Sequence, residues 1–272
     1  MTPQAVNPFL TRSREGAVVV LRMDRPETYN ALSDDDAIEA LRRAFAQVNA
    51  DRSVKVMVLT GSGAAFSSGG NLKTIREQLG GGLPEAADSR YAYRDGVQRL
   101  VRELHELEVP TIAAVNGHAL GVGNDLACLC DIRIASDAAR FACSFIKLGL
   151  IPGDGGAWLL PRVVGRSRAH EMAFTGRTLD AAQALEWGLV SRVVAPERLM
   201  PEAMALAQEI AAQPGHALRM TKRLLREGEH SRLETVLELS AAMQALAHRT
   251  QEHEAALERF AARTTSTTET HR

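Results

Sequence analysis

Apolar, β-branched runs separated by glycine-rich turns dominate the first two thirds of the chain, and each run predicts a strand. Residues 17–23 (AVVVLRM), 54–60 (VKVMVLT) and 111–115 (TIAAV) are continuous enough to be buried on both faces. Residues 131–135, 140–144 and 189–194 predict three further strands. Asp24-Arg25-Pro26-Glu27 ends the first run, because proline has no N–H to continue a ladder. A period near 3.6 takes over at Ile38, Leu41, Phe45 and Val48, predicting a helix capped by Ser33 with Asp36, with Arg42 and Arg43 on its solvated face. Residues 97–107, 158–164 and 178–187 predict more helices, the first ended at Val109-Pro110 and the last closed by Gly188. Residues 77–95 are polar and contain Gly80-Gly81-Gly82 and Pro84, which predicts either a mobile connection able to close over a ligand or, equally, a disordered stretch without a role. From Pro196 the strands disappear. Alanine, leucine, glutamate and arginine then predict about three helices, broken at Pro214 and Gly228 and ending near Arg263. The expected organisation is an α/β core over 1–195, a helical module over 196–263 and a disordered tail over 264–272.

Strand, glycine-rich turn and helix start recur three times, which suggests an internal structural repeat. The central copy, NGHALGVGNDLACLCD at 116–131, follows the 111–115 strand. Backbone N–H groups at such a helix start have no acceptor within the helix, and the dipole favours negative charge there. Asp125 lies in that first turn. The pattern fits an oxyanion-stabilising turn beside an acid/base carboxylate, and equally an ordinary strand–turn–helix with an N-terminal aspartate. The earlier copy runs through GSGAAFSSGGNLK at 61–73. The later one runs through PGDGG at 152–156, where Asp154 is either a helix N-cap or a carboxylate held for use.

Composition narrows the options. At 272 residues the chain can bury a large core, and its 45% apolar content is that of a globular protein. With 32 basic against 33 acidic residues there is no global field for nucleic acid or a membrane, so any anionic ligand must be held locally. No stretch has the length of a membrane span or a secretory signal, so a cytoplasmic location is expected. Cys128, Cys130 and Cys143 sit in apolar runs and read as buried thiols in a reducing compartment; Cys128-x-Cys130 has no second pair at zinc spacing, so no metal is expected.

Five segments in this order carry a resemblance over nearly the whole chain: Arg25-Pro26 with Asn30-Ala31-Leu32-Ser33, AFSSGGNLK at 65–73, VNGHALGVGNDLACLCDIRIAS at 115–136, LGLIPGDGG at 148–156, and TGRTLDAAQALEWGLVSRVV at 175–194. Together they resemble the enoyl-CoA hydratase/isomerase, or crotonase, family. The resemblance implies a crotonase-like spiral of ββα units with C-terminal helices, an acyl-CoA thioester as ligand, and a homotrimer or homohexamer. It implies no metal, nicotinamide or flavin, coenzyme A entering only as part of the substrate, and no nucleic-acid or membrane partner. It places oxyanion-hole N–H groups at Gly70 and Val122, and CoA or acyl contacts at Arg25, Ala31, Leu32, Ser68, Asn71, Leu72, Lys73 and Phe145. Arg25 and Lys73 become candidates for CoA phosphates.

The two glutamates typical of hydratases match Asp125, one methylene shorter, and Phe145, which transfers no proton. Asp154 is the candidate replacement. The leading expectation is hydration of a 2-enoyl-CoA to a 3-hydroxyacyl-CoA. The alternatives are an enoyl-CoA isomerase, a hydrolase or dehalogenase using Asp154, and a non-catalytic acyl-CoA binder. Phe145 and Trp158 hint at an apolar acyl group. His118 reads as structural.

Overall fold

The computed structural model describes residues 9–32, 34–71, 76 and 85–269, with side chains to residue 261. Two sheets organise it. The larger has the order β1 (Leu10–Glu15), β2 (Val18–Met23), β3 (Val56–Gly61), β5 (Thr111–Val115), β7 (Ile132–Ser136), β10 (Arg192–Val194), parallel except for the β1–β2 hairpin. The smaller has the order β4 (Ala65–Ser67), β6 (His118–Leu120), β8 (Arg140–Ala142), β9 (Thr178–Asp180), with only the last pair antiparallel. Each turn of the chain thus lays one strand in the large sheet and one in the small sheet. A helical segment follows, which is the expected spiral.

Side-chain alternation decides what each face of the large sheet meets. Val20, Val58, Ile112 and Ile132 fall in one register row, on the face that packs against Leu199, Ala203 and Ala207. The opposite face, with Val19, Leu21, Met57, Leu59, Ala113 and Val115, joins Phe66, Ala119 and Phe141 of the small sheet in the main core. That core is completed by the helices α1 (Asp35–Ala50), α3 (Val97–His105), α4 (Val122–Leu129), α5 (Gly156–Val164), α6 (Arg166–Thr175) and α7 (Ala181–Glu186), while α2 (Ala86–Asp95), which precedes α3, buries no residue. The C-terminal helices are α8 (Leu199–Ala211), α9 (Gly215–Gly228), α10 (Leu233–Ala247) and α11 (Gln251–Glu269).

Several expectations are corrected. The N-cap of α1 is Asp34, whose carboxylate accepts from the Ala37 N–H; Ser33 lies outside the described residues. Arg42 is not solvated, since it binds Glu103 of α3 through Nε and Nη2, while Arg43 is exposed. Within 77–95, residues 86–95 form a helix, and residues 77–84 lie outside the described set. Residues 178–180 are a strand, and its last residue, Asp180, caps α7 with a capping box through Gln183. Gly228 closes α9 but the next break, at 248–250, adds a fourth C-terminal helix. Helix α8 packs on one face of the large sheet through Leu199, Ala203 and Ala207. Helix α11 also runs past 263, to Glu269, into the stretch expected to be a disordered tail.

The chain changes sheet at 61–65 and again at 115–118, and there the backbone groups leave one ladder before joining the next. Two asparagines satisfy them. The Asn30 amide donates to the carbonyls of Ser62 (3.0 Å) and Ala65 (2.8 Å), and its oxygen accepts from the Arg25 N–H at 2.9 Å. Asn116 accepts from the Gly61 N–H at 3.1 Å and donates to Gly63 and Ala65. The second change also depends on glycine: a Cβ on Gly117 would lie 2.0 Å from the Ala64 carbonyl oxygen.

Asn30 is wholly buried and left-handed, at φ 55°. Asn30→Ala leaves several backbone groups unpaired and is expected to cost about 3 kcal/mol in denaturant unfolding. Arg43→Ala on the exposed face should stay within about 0.5 kcal/mol. A loss below about 1 kcal/mol for Asn30→Ala would contradict this account of the sheet change.

Candidate active site

The two glycine turns from the sheet changes meet side by side. A Cβ on Gly69 would lie 2.5 Å from the Leu120 carbonyl oxygen and 3.3 Å from the Val122 nitrogen. The Leu32 N–H donates to the Gly69 carbonyl at 2.8 Å, and the Ser68 N–H to Tyr29 at 2.9 Å, so the first turn is tied to the 25–32 segment. Gly121, at φ 53°, donates its N–H to Ala142 and is the N-cap of α4. Val122 is the first residue of that helix, and its N–H has no acceptor within it. Gly70 is exposed beside the buried Gly69. The expected pair of donors therefore lies on two adjoining turns.

Asp125 is placed one turn into α4 and is fully buried. Among the described residues neither carboxylate oxygen has a hydrogen-bond partner of regular geometry, nor has either amide atom of the neighbouring Asn124, although the Gly156 N–H and the Asn124 amide lie close. The carboxyl faces the start of α5, where a Cβ on Gly156 would lie 2.7 Å from Oδ1. Burial, reinforced by the charge of Asp154, pushes Asp125 up to about 8; the nearby Gly156 N–H and Asn124 amide offset this only in part.

Asp154 lies in the turn before α5. It is 6% exposed, with an unpartnered Oδ1, and burial raises it to about 6. It does not cap the helix: the N-cap is Gly155, and no side chain bonds there. Charges from both carboxylates add to burial in pushing the Cys143 thiol up to about 12, which places that neutral thiol beside the pair. Two carboxyls in one dry site with separated proton affinities can divide donor and acceptor roles near neutral pH.

The remaining expected residues fall into distinct positions. Phe145 is partly buried, and its ring lies 3.4 Å from where a Cβ on Gly121 would stand, so it walls the turn with carbon. Ala31 and Leu32 are buried beside Gly69, and Ser68 and Asn71 are partly exposed. Leu72 and Lys73 lie outside the described residues. Arg25 forms ion pairs with Asp34 (2.9 Å) and Asp36, which occupy both of its terminal nitrogens. Trp158 lies away from the carboxyls, stacked edge-on with His105 and under the Arg162 guanidinium. His118 is exposed on β6. The sequence did not single out Asn124 or Asn30, nor Gln98, whose amide reaches the Gly153 carbonyl at 2.9 Å. The Asn30 motif was visible, but its hydrogen-bond role depends on residues more than thirty positions away.

The sequence model of a family described as enoyl-CoA hydratase/isomerase matches residues 13–269. The 1,2-epoxyphenylacetyl-CoA isomerase of Escherichia coli K12 is 38% identical over 94% of this chain and 96% of its own length. The crotonyl-CoA hydratase of Syntrophomonas wolfei is 34% identical over 91% of this chain and 92% of its own. Among solved structures, the enoyl-CoA hydratase from Bacillus anthracis superposes with a TM-score of 0.87 at 31% identity, covering 94% of this chain and 96% of the other.

The burial of Asp125 has a consequence for stability. Its carboxyl releases its proton near 3.8 when unfolded but only near 8 in the fold. The stability it supports is therefore complete below about pH 4 and is lost as pH rises towards about 8. Asp125→Asn has no such proton to lose. Its Tm is expected to gain on the parent's by roughly 5 °C between pH 4 and 8, read by calorimetry. A Tm difference that does not change with pH would show that the carboxyl is ionised in the fold.

Proposed function

The chain belongs to the enoyl-CoA hydratase/isomerase family, and on that premise we propose that it adds water to a 2-enoyl-CoA thioester, forming a 3-hydroxyacyl-CoA. The observation that carries the reading is the pair of buried carboxyls at the start of α5: burial raises both, and Asp125 further because it faces the charge of Asp154, which favours one carboxylate and one carboxylic acid near neutral pH. Asp154 takes a proton from water as its oxygen bonds to C3. Asp125 gives its proton to C2. The enolate between these steps has its oxygen between the N–H groups of Gly70 and Val122, which as backbone donors survive side-chain change. The two carboxyls exchange protonation states in the turnover and reset through solvent.

Ala31, Leu32, Ser68 and Asn71, with Leu72 and Lys73, form the proposed wall for the pantetheine arm. Lys73 is the candidate for a CoA phosphate. Arg25 reaches one only by releasing Asp34 or Asp36, so its first role here is to hold the 25–36 segment. The reaction asks for no metal or redox cofactor. The exposed Leu233, Leu237, Leu246, Leu257 and Phe260 of α10 and α11 support a homo-oligomer, a trimer or hexamer. The buried free thiols and the absence, among the described residues, of a helix able to cross a membrane support a cytoplasmic location.

A second reading is favoured by Phe145. Its ring replaces a group that would hold water, and Asp125 is closed off while Asp154 keeps slight exposure. A single carboxylate against a carbon wall suits moving a proton between C2 and C4 of the substrate, which shifts the double bond.

Mass spectrometry on a panel of enoyl-CoAs separates the two. Gain of one water, with a bell-shaped kcat/KM profile limited near pH 6 and 8, is expected for hydration. Asp154→Asn should lower kcat by about a hundredfold or more, and Asp125→Asn should abolish the alkaline limb. No gain of water in H2O, with solvent deuterium entering C2 or C4 when the assay is repeated in D2O, would establish the isomerase reading. Binding without turnover across the panel would contradict both.

A further inference from the structure

We infer that Gln98 is a positioning residue for Asp154: α3 reaches across and fixes the peptide plane on which that carboxyl is mounted. The inference rests on the reading of Asp154 as a working base. Gln98 Nε2 donates to the Gly153 carbonyl oxygen at 2.9 Å. That carbonyl shares its rigid peptide unit with the Asp154 nitrogen, so holding the oxygen fixes the plane that carries the Asp154 N–Cα bond and restricts where its side chain can reach.

The turn has little hold of its own. Glycines stand at 153, 155 and 156, the Gly153 N–H reaches back only to Ile151, and α5 begins without a side-chain cap. On its far side Gly155, at φ 107°, packs against Val101, where a Cβ would come 3.3 Å from Cγ1. Gln98 and Val101 are one helical turn apart, so one face of α3 grips the chain on both sides of Asp154.

The gripping helix is itself fixed. Leu100 and Leu104 are buried, and Arg42 of α1 binds the Glu103 carboxylate through Nε and Nη2 at 3.0–3.1 Å. Tyr93 of α2 adds its ring over the same turn, with Cε1 3.8 Å from a Cβ on Gly153. The titratable groups that register the charge of Asp154 are Asp125 of α4, Tyr93 of α2 and Cys143 after β8. None of them is a cation that could hold the carboxylate by charge. Among the described residues position therefore depends on backbone anchoring, and Gln98 supplies the polar anchor.

Gln98→Met keeps length and removes the donor, and Gln98→Leu is a second neutral variant should the first fold poorly. Either is expected to lower kcat about 30-fold with KM changed less than about threefold, as for a misplaced catalytic group. The acid limb of the pH profile should also move below about 6, since a loosened turn admits water to Asp154. In an Asp154→Asn background the same substitution should change the residual rate less than twofold. Unchanged kcat and acid limb in both variants, with Asp154→Asn strongly impaired, overturns the inference alone. So does a 30-fold loss that persists in the Asp154→Asn background. Full activity of Asp154→Asn itself overturns the reading of the base, and this inference with it.

Discussion

Every backbone N–H and carbonyl that leaves a buried strand must find another partner, and this fold meets that demand twice in the same small volume. The chain passes from the large sheet to the small one at 61–65 and at 115–118. Asn30 and Asn116 converge on the Ala65 carbonyl and cover the groups freed there. Because the crossings are stacked, the turns that follow them also meet, Gly69 against Leu120 and Val122, Gly123 against Ser67. The backbone donors proposed for an oxyanion are thus a by-product of the sheet change, placed by the fold before any side chain is chosen.

The same closeness excludes water. Asp125 enters the site from the first turn of α4 and Asp154 from the turn before α5, and among the described residues neither meets a cation. A carboxyl in such a place keeps its proton, the more so with another carboxyl beside it. Phe145 extends the apolar wall. The site therefore carries a stability cost of the kind expected where a polar group is kept for chemistry rather than for the fold. Asn124 belongs to the same picture, buried with an amide unpartnered at both ends.

The buried parallel strands β2, β3 and β5 were legible because they are largely continuous apolar runs, and so were the glycine-punctuated turns that carry the site. What the sequence hid has physical causes. Strand β1 is polar because it is an exposed edge, and β4, β6 and β9 are three residues long, too short for any period to register. Helix α6 buries only Ala169 and Met172, so its pattern is faint. The residue Asp125 was visible as a carboxylate at a helix start, but its protonation depends on burial by segments far away in the chain. Asp154 could be read equally as a cap until the turn showed Gly155 in that position. Arg42 was read on the solvated face of its helix and Gln98 carried no motif, and only the packing of α3 against α1 and the turn before α5 gives them partners.

The central claim is that one carboxyl in this site is neutral beside an ionised one. Carboxyl carbons labelled with 13C and titrated by NMR in the resting enzyme, with Asp125→Asn and Asp154→Asn to assign the signals, test it directly. The account predicts a signal lost in Asp125→Asn that is still protonated at pH 7 and titrates near 8, and a second, lost in Asp154→Asn, that titrates near 6. Both signals fully ionised at pH 6, at the values of exposed aspartates, would contradict it.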